Sequence, residues 1–305
     1  MWLVLAFMSA ALLGCYDSFK KEALKQNAVI PVLFLNTLFS SLIFLPFIVL
    51  SAGTDVLNGS VFHVATGGWE VHRYVVLKSL IVLSSWVLGY FGMKHLPLTI
   101  VGPINATRPV MVLVGALLVF GERLNGWQWA GVLLAVASFL MLSRSGKKEG
   151  IDFRHDHWIW MIVGAAALGA VSGLYDKYLM APQESGGVWL DRMLVQSWYN
   201  IYQCAMMLAM LLLLWWPKHE ETTPFHWHWS IIGVSLFLST ADFLYFYSLS
   251  LPDAMISIVS MIRRGSVVVS FLFGALFFHE KNLRAKAFDL ALVLLGMIFL
   301  YIGSK

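Results

Sequence analysis

Charged residues are scarce in this sequence, and their scarcity determines the class of protein. Asp, Glu, Lys and Arg make up 12% of the 305 residues and hydrophobic residues make up 59%. Ordinary soluble domains have about 25% charged and about 45–50% apolar residues. A soluble fold would have too little polar surface for this much apolar material. The composition therefore predicts an integral membrane protein whose apolar segments lie in a lipid bilayer.

Cysteine is also nearly absent, and so are the motifs of several other protein classes. Cys15 and Cys204 both lie in apolar segments, which excludes a disulfide framework. The chain has no nucleotide-binding motif, which argues against an ATP-driven pump. The net charge of +4 comes from basic residues crowded into loops and does not indicate nucleic-acid binding. We therefore expect no nucleic acid, no metal site and no cofactor.

What the sequence does contain is a series of long apolar runs. A helix of about 20 residues crosses a bilayer, so the length of the chain allows about ten such helices with short loops. The runs lie at about 1–25, 30–50, 74–94, 99–120, 127–142, 158–180, 193–216, 229–251, 255–278 and 286–303. The charged stretch 144–157 is read as a linker between two halves, residues 1–145 and 155–305. The expected fold class is an all-α integral membrane protein with ten transmembrane helices.

The two halves carry the same features in the same order. The matched features are a tyrosine, a proline that stops a helix, an arginine and, in the first helix of each half, a Tyr-Asp pair: Tyr90 and Tyr245, Pro97 and Pro252, Arg108 and Arg263, Tyr16-Asp17 and Tyr175-Asp176. Each half has an odd number of spans, so the second copy crosses the membrane in the opposite direction. We therefore predict two inverted five-helix repeats around a central cavity.

Two further stretches carry a family resemblance. GALLVFGERLNGWQWAGVLL and GALFFHEKNLRAKAFDLALVLLG each contain a helix of small and apolar residues, a Glu at its end and a further Gly-containing or Ala-containing helix. With the proline before the fourth helix of each half, they resemble the EamA-like transporters of the drug/metabolite transporter superfamily over nearly the whole chain. The resemblance implies a secondary transporter whose cavity opens to the two sides of the membrane in turn. It also implies a bacterial cytoplasmic (inner) membrane location.

Ionisable residues inside the spans indicate where the cavity lies, because a charge at bilayer depth must face water or a partner. Arg108 follows Asn105 by three residues, and Tyr245 follows Asp242 by three, so each pair shares a helix face. An arginine fork suits carboxylates and phosphates. The expected substrate is therefore a small anionic or amino-acid-like metabolite, with export as one possible direction. The candidate substrate-binding residues are Asp17, Tyr90, Asn105, Arg108, Asp176, Asp242, Tyr245, Ser260, Arg263 and Arg264.

These residues also have structural explanations that the sequence leaves open. The aspartates of the first helices can be solvated helix ends beside lysines, the tyrosines can be packing residues, and an arginine can form an ion pair with Asp242. An integral-membrane enzyme and a non-transporting scaffold or channel are the alternative functions. We expect no enzyme, because His279-Glu280 lacks the second histidine of a zinc-hydrolase motif and no other catalytic motif is present.

Orientation and assembly also stay open at this stage. The positive-inside rule places both termini outside the cell, whereas the family resemblance places both inside. With an even number of spans, the two termini share one side of the membrane. A monomer and a homodimer both fit the sequence.

Overall fold

The computed structural model describes residues 2–108, 110–111, 125–147, 153–180, 183–251, 259, 262–278 and 283–303. Every regular element in these ranges is a helix, which confirms the all-α class. The α-helices are α1 (Trp2–Ala23), α2 (Val29–Gly53), α3 (Trp69–His95), α4 (Leu98–Ala106), α5 (Gly126–Lys147), α6 (His157–Met180), α7 (Arg192–Met210), α8 (Ser230–Ser250), α9 (Ser266–Leu276) and α10 (Leu283–Gly303). A π turn (Leu211–Trp215) and a 3-10 turn (Trp216–Lys218) continue α7.

Seven helical segments in the described ranges are long and apolar enough to cross a membrane. They are Trp2–Ala23, Val29–Gly53, Trp69–His95, His157–Met180, Arg192–Lys218, Ser230–Ser248 and Lys286–Gly303. The other three predicted spans contain α4, α5 and α9; α4 and α9 are short, and α5 has a shorter apolar stretch, Trp129–Ser138. The membrane class is confirmed, and the count of ten spans stays a prediction. The predicted linker starts later than expected, because α5 continues to Lys147.

The proline break between α3 and α4 forms as the sequence indicated. Pro97 occupies the N-cap of α4, with φ −65° and ψ 148°. The last carbonyl groups of α3 have no donor from a continuing helix, since proline has no N–H. Lys21 of α1 supplies the missing donor. Its Nζ donates to the carbonyl oxygens of Met93 and Leu96, at 2.6 Å each. A cation is favourable at the C-terminus of a helix, so this lysine ties α1 to the end of α3.

The helices pack in pairs that join the two halves. The first helix of one half packs along the third of the other, so that α1 lies on α8 and α3 lies on α6. Helices at the same position in each half also pair: the second helices are α2 and α7, the fourth are α4 and α9, and the fifth are α5 and α10. This reciprocal pairing of helices is the pattern expected for two copies related by a two-fold axis. The direction of each half relative to a membrane stays a prediction.

Glycines allow two of these pairs to approach closely. A Cβ on Gly92 of α3 would lie 2.5 Å from the Ile162 Cγ1 of α6. A Cβ on Gly14 of α1 would lie 2.4 Å from the Val269 Cβ of α9. Both distances are shorter than any normal contact between carbon atoms. The helices of the two halves can therefore pack closely at these two positions.

Candidate functional site

A network of ionisable side chains runs through the interior of the protein. Lysine, arginine and aspartate rarely lie inside a protein unless they are paired. Here Lys20, Lys78, Asp176 and Asp242 are all less than 10% exposed, at 7%, 3%, 9% and 8%. Among the described residues the network has three ion pairs, Lys20–Asp17, Lys78–Asp176 and Arg263–Asp242.

The first group of these residues lies between α1 and α3 and consists of Tyr16, Asp17, Lys20 and Tyr90; we call it the α1–α3 cluster. The Lys20 Nζ lies 3.0 Å from the Asp17 Oδ1 and 4.4 Å and 5.1 Å from the ring centroids of Tyr16 and Tyr90. The Tyr16 hydroxyl donates to the Tyr90 hydroxyl at 3.4 Å. Spacings of three and four residues place Tyr16, Asp17 and Lys20 on neighbouring positions of one helix face. From α9, the Ser270 hydroxyl donates to the Asp17 Oδ2 at 3.3 Å.

The second group surrounds Asp242 of α8. Arg263, just before α9, donates to the Asp242 Oδ1, and the Tyr199 hydroxyl of α7 donates to the Oδ2 at 2.7 Å. The guanidinium carbon of Arg263 lies 4.2 Å from the ring centroid of Tyr245. Both oxygens of this carboxylate therefore have protein partners. For Arg263, the ion pair with Asp242 that the sequence left open is present in this conformation.

The third group joins the halves directly. Lys78 of α3 forms its ion pair with Asp176 of α6. The Lys78 ammonium also lies 5.2 Å from the ring centroid of Tyr199 and 5.5 Å from that of Phe246. Asp176 is thus a paired interior group and not a solvated helix end.

Two arginines have a different environment. The Arg108 Nη2 donates to the Asn105 Oδ1 at 3.1 Å. The guanidinium lies against Gly169 of α6, where a Cβ would be 2.7 Å from the Arg108 Cζ. Arg264 lies close enough to interact electrostatically with Arg108, Arg263 and Asp17. Within the described parts of the chain, neither Arg108 nor Arg264 forms an ion pair.

The network therefore has more positive than negative charge in the part of the chain that the structure describes. Three of its basic side chains are paired with its three aspartates, and Arg108 and Arg264 are additional. A surplus of buried cationic charge is costly unless an anion compensates it. The site can accordingly hold an anionic group. No cluster of three or more His, Cys, Asp or Glu side chains that could hold a metal ion occurs among the described residues.

Most of the residues singled out from the sequence meet in this network. The two shared helix faces are confirmed, since Arg108 bonds to Asn105 and Arg263 contacts both Asp242 and Tyr245. Ser260 lies outside the described residues. Sequence reasoning missed Lys20, Lys78 and Tyr199. Lys78 is a lysine well inside an apolar span, and the rule that such charges need a partner could have identified it.

The comparisons with known proteins agree with this architecture. Residues 1–144 match the model of the EamA-like transporter family. The match covers a little under half of the chain. The EamA-like transporters are part of the drug/metabolite transporter superfamily, and this match together with the apolar helices indicates an integral membrane protein of transporter type.

The fold likeness extends over both halves of the chain. A crystal structure that is 13% identical to the chain superposes with a TM-score of 0.65 and covers 99% of this chain and 96% of its own. At this identity the likeness shows the fold alone. No curated protein matches the sequence.

Proposed function

We propose that this protein is a secondary transporter that moves a small anionic or amino-acid-like metabolite across the bacterial cytoplasmic membrane by alternating access. The family match and the apolar helices support transport as the activity. The observation that carries the substrate class is the pair of interior arginines, Arg108 and Arg264, without a carboxylate partner among the described residues.

The arginines favour an anionic substrate for an electrostatic reason. A charge inside a membrane protein faces a wet cavity or a partner, and such residues mark substrate pathways. A guanidinium binds a carboxylate or phosphate through two parallel hydrogen bonds, which adds both energy and orientation. The amide oxygen of Asn105 occupies only one of the donors of Arg108. The anionic group of a substrate would bind the remaining donors and compensate the surplus charge.

The helix packing supports alternating access. Inverted repeats allow each half to adopt the conformation of the other, which closes one side of a central site and opens the opposite side. The reciprocal pairing of α1 with α8 and of α3 with α6 is consistent with such a relation. Asp17 and Asp242 are the carboxylates that could take up a proton or a cationic group of the substrate. Export is one possible direction of transport, and we expect no enzymatic activity.

The proposal can be tested in reconstituted liposomes. The purified protein is tested for uptake and for exchange of labelled amino acids and small organic acids, and the Arg108→Ala and Arg264→Ala variants are then compared with it. A charge-assisted hydrogen bond contributes about 1.5–3 kcal/mol, so each variant should lower transport by about tenfold or more while the protein stays folded.

A matched control is Arg73→Ala, which removes an exposed arginine whose side chain bonds to the Glu70 carbonyl oxygen at the start of α3. It should transport as well as the parent. The proposal of a central anion site is wrong if the Arg108→Ala and Arg264→Ala variants also transport at the parental rate.

A further inference from the structure

The α1–α3 cluster has the composition of a binding site for an amine. An ammonium group is recognised by a carboxylate together with the faces of aromatic rings. Asp17 supplies the carboxylate, and Tyr16 and Tyr90, which are 4% and 0% exposed, supply the rings. The ammonium of Lys20 occupies the position between them, 3.0 Å from the Asp17 Oδ1 and 4.4 Å and 5.1 Å from the two ring centroids.

Lys20 is the ion-pair partner of Asp17, but Arg108 and Arg264 also act on the charge of this carboxylate. Asp17 would therefore still have basic side chains near it while one ammonium group replaced another.

The lysine also has a place to go. Lys20 is three residues from Ala23, the last residue of α1. A lysine this close to a helix end can extend its four-carbon stem along apolar surface and place its ammonium in the headgroup region. Departure of the Lys20 ammonium would require rotation of its side chain past Ala23 and Leu24, which are buried.

We propose that Tyr16, Asp17 and Tyr90 form the ammonium subsite of the transport site, and that Lys20 fills this subsite while no substrate is bound. The inference rests on the proposed transport function and narrows its substrate class. Arg108 and Arg264 hold the carboxylate, and the α1–α3 cluster holds the amine. The substrate is therefore a zwitterion of the α-amino-acid type, whose ammonium displaces that of Lys20.

The ion pair of the repeat-related aspartate lacks one part of this arrangement. Lys78 binds Asp176 and lies over the rings of Tyr199 and Phe246, so its surroundings are similar. The arginine that matches Arg108 in that half is Arg263, and its charge is already compensated by Asp242. This arginine is thus not available to take a carboxylate.

The test measures the binding of n-butylammonium to purified protein by isothermal titration calorimetry. A competing state that leaves the subsite open in only about 1–10% of molecules weakens apparent affinity by the same fraction. Lys20→Met should therefore bind n-butylammonium about tenfold or more tightly than the wild type. Asp17→Asn in the Lys20→Met background should abolish the gain, and Arg73→Ala, which removes an exposed arginine far along the chain from the cluster, should show none.

Each outcome decides the question. Lys20→Gln, which keeps a polar side chain of similar length, replaces Lys20→Met if the latter does not fold, and the same gain is expected. An unchanged affinity in a folded Lys20 variant, or a gain that persists when Asp17→Asn is added, would overturn the ammonium subsite. Loss of the subsite would leave the transport proposal standing if the liposomes still transport an organic acid without an amine. Conversely, a gain in affinity with no transport of any acid or amino acid would retain the subsite and refute transport.

Discussion

Arg108 and Arg263 occupy the same position in the two repeats, but their partners differ in charge. Arg108 bonds to the neutral amide oxygen of Asn105 at 3.1 Å. Arg263 bonds to the carboxylate of Asp242, which Tyr199 also holds. A neutral acceptor leaves the guanidinium with its full charge, whereas a carboxylate cancels it. Of these two arginines, Arg108 therefore keeps charge that the proposed ligand could use, whereas the charge of Arg263 is compensated within the protein.

The repeat-related aspartates differ in a similar way. Asp17 is paired with Lys20 of its own helix, three residues away. Asp176 is paired with Lys78, which comes from α3 of the other half. The Lys20–Asp17 pair lies within one helix, so relative motion of the helices does not change it. The Lys78–Asp176 pair joins α3 to α6, so separation of these helices would break it. The two predicted repeats thus hold their matched aspartates in different ways.

The largest expected effect comes from removing the carboxylate that pairs with Arg263. Asp242→Ala leaves a buried guanidinium without its counter-charge, which costs about 3–5 kcal/mol of stability. Asn105→Ala removes a neutral acceptor from Arg108 and should cost less, about 1.5–3 kcal/mol, the range for a hydrogen bond to a charged group. Thermal unfolding of the detergent-solubilised variants measures both. Equal destabilisation by the two substitutions would mean that the two arginines are not held differently.

A double substitution sharpens the same comparison. Replacing both members of a buried ion pair by apolar residues of similar volume is often close to neutral. The variant with Arg263→Met and Asp242→Leu should therefore recover most of the stability that Asp242→Ala loses. If the double variant does not recover this stability, the contribution of Asp242 and Arg263 comes from their contacts with Tyr199 and Tyr245 and not from the ion pair.

A smaller effect is expected at the interface that carries the Lys78–Asp176 pair. Gly92→Ala would bring a Cβ to 2.5 Å from the Ile162 Cγ1, which overpacks the contact between α3 and α6 and costs about 1–3 kcal/mol. Gly89→Ala, about one turn earlier on α3, would place its Cβ 3.6 Å from the Ala165 Cβ, an ordinary contact, and should be tolerated. Combining Gly92→Ala with Ile162→Ala should relieve the overpacking. Unfolding temperatures of the three variants and the parent distinguish tight from loose packing between the halves.

The smallest effect belongs to the serine that reaches Asp17 from α9. The Ser270 hydroxyl donates to the Asp17 Oδ2 at 3.3 Å, a long hydrogen bond. Ser270→Ala should lower stability by about 0.5–1 kcal/mol and leave the Lys20–Asp17 pair in place. A loss as large as that of Asp242→Ala would show that Asp17 depends on α9 and not on its own helix.

Whether the sequence could predict a contact in this site depends on how far apart the two residues are along the chain. Contacts within one helix follow from residue spacing, which is why the sequence alone could place Asn105 and Arg108 on one face. Lys78 could not be paired with Asp176 in this way, because their contact arises from the packing of α3 on α6. Tyr199 could not be paired with Asp242 from spacing either, because their hydrogen bond joins α7 to α8. Composition predicted the helical membrane class, but the partners of the charges depend on the packing of distant helices.

The length of the span Arg192–Lys218 has a consequence for the choice of lipid. Its 27 residues rise about 40 Å at about 1.5 Å per residue, whereas the hydrocarbon core of a bilayer is about 30 Å thick. The excess must be taken up by tilting or by extension into the headgroup layer. Trp216 is exposed near the end of this span, and tryptophan favours the headgroup layer. Its ring centroid lies 5.7 Å from that of His219, which is also exposed and comes just after the span. Hydrophobic mismatch at α7 therefore makes bilayer thickness a variable to be controlled when vesicles are prepared for transport measurements.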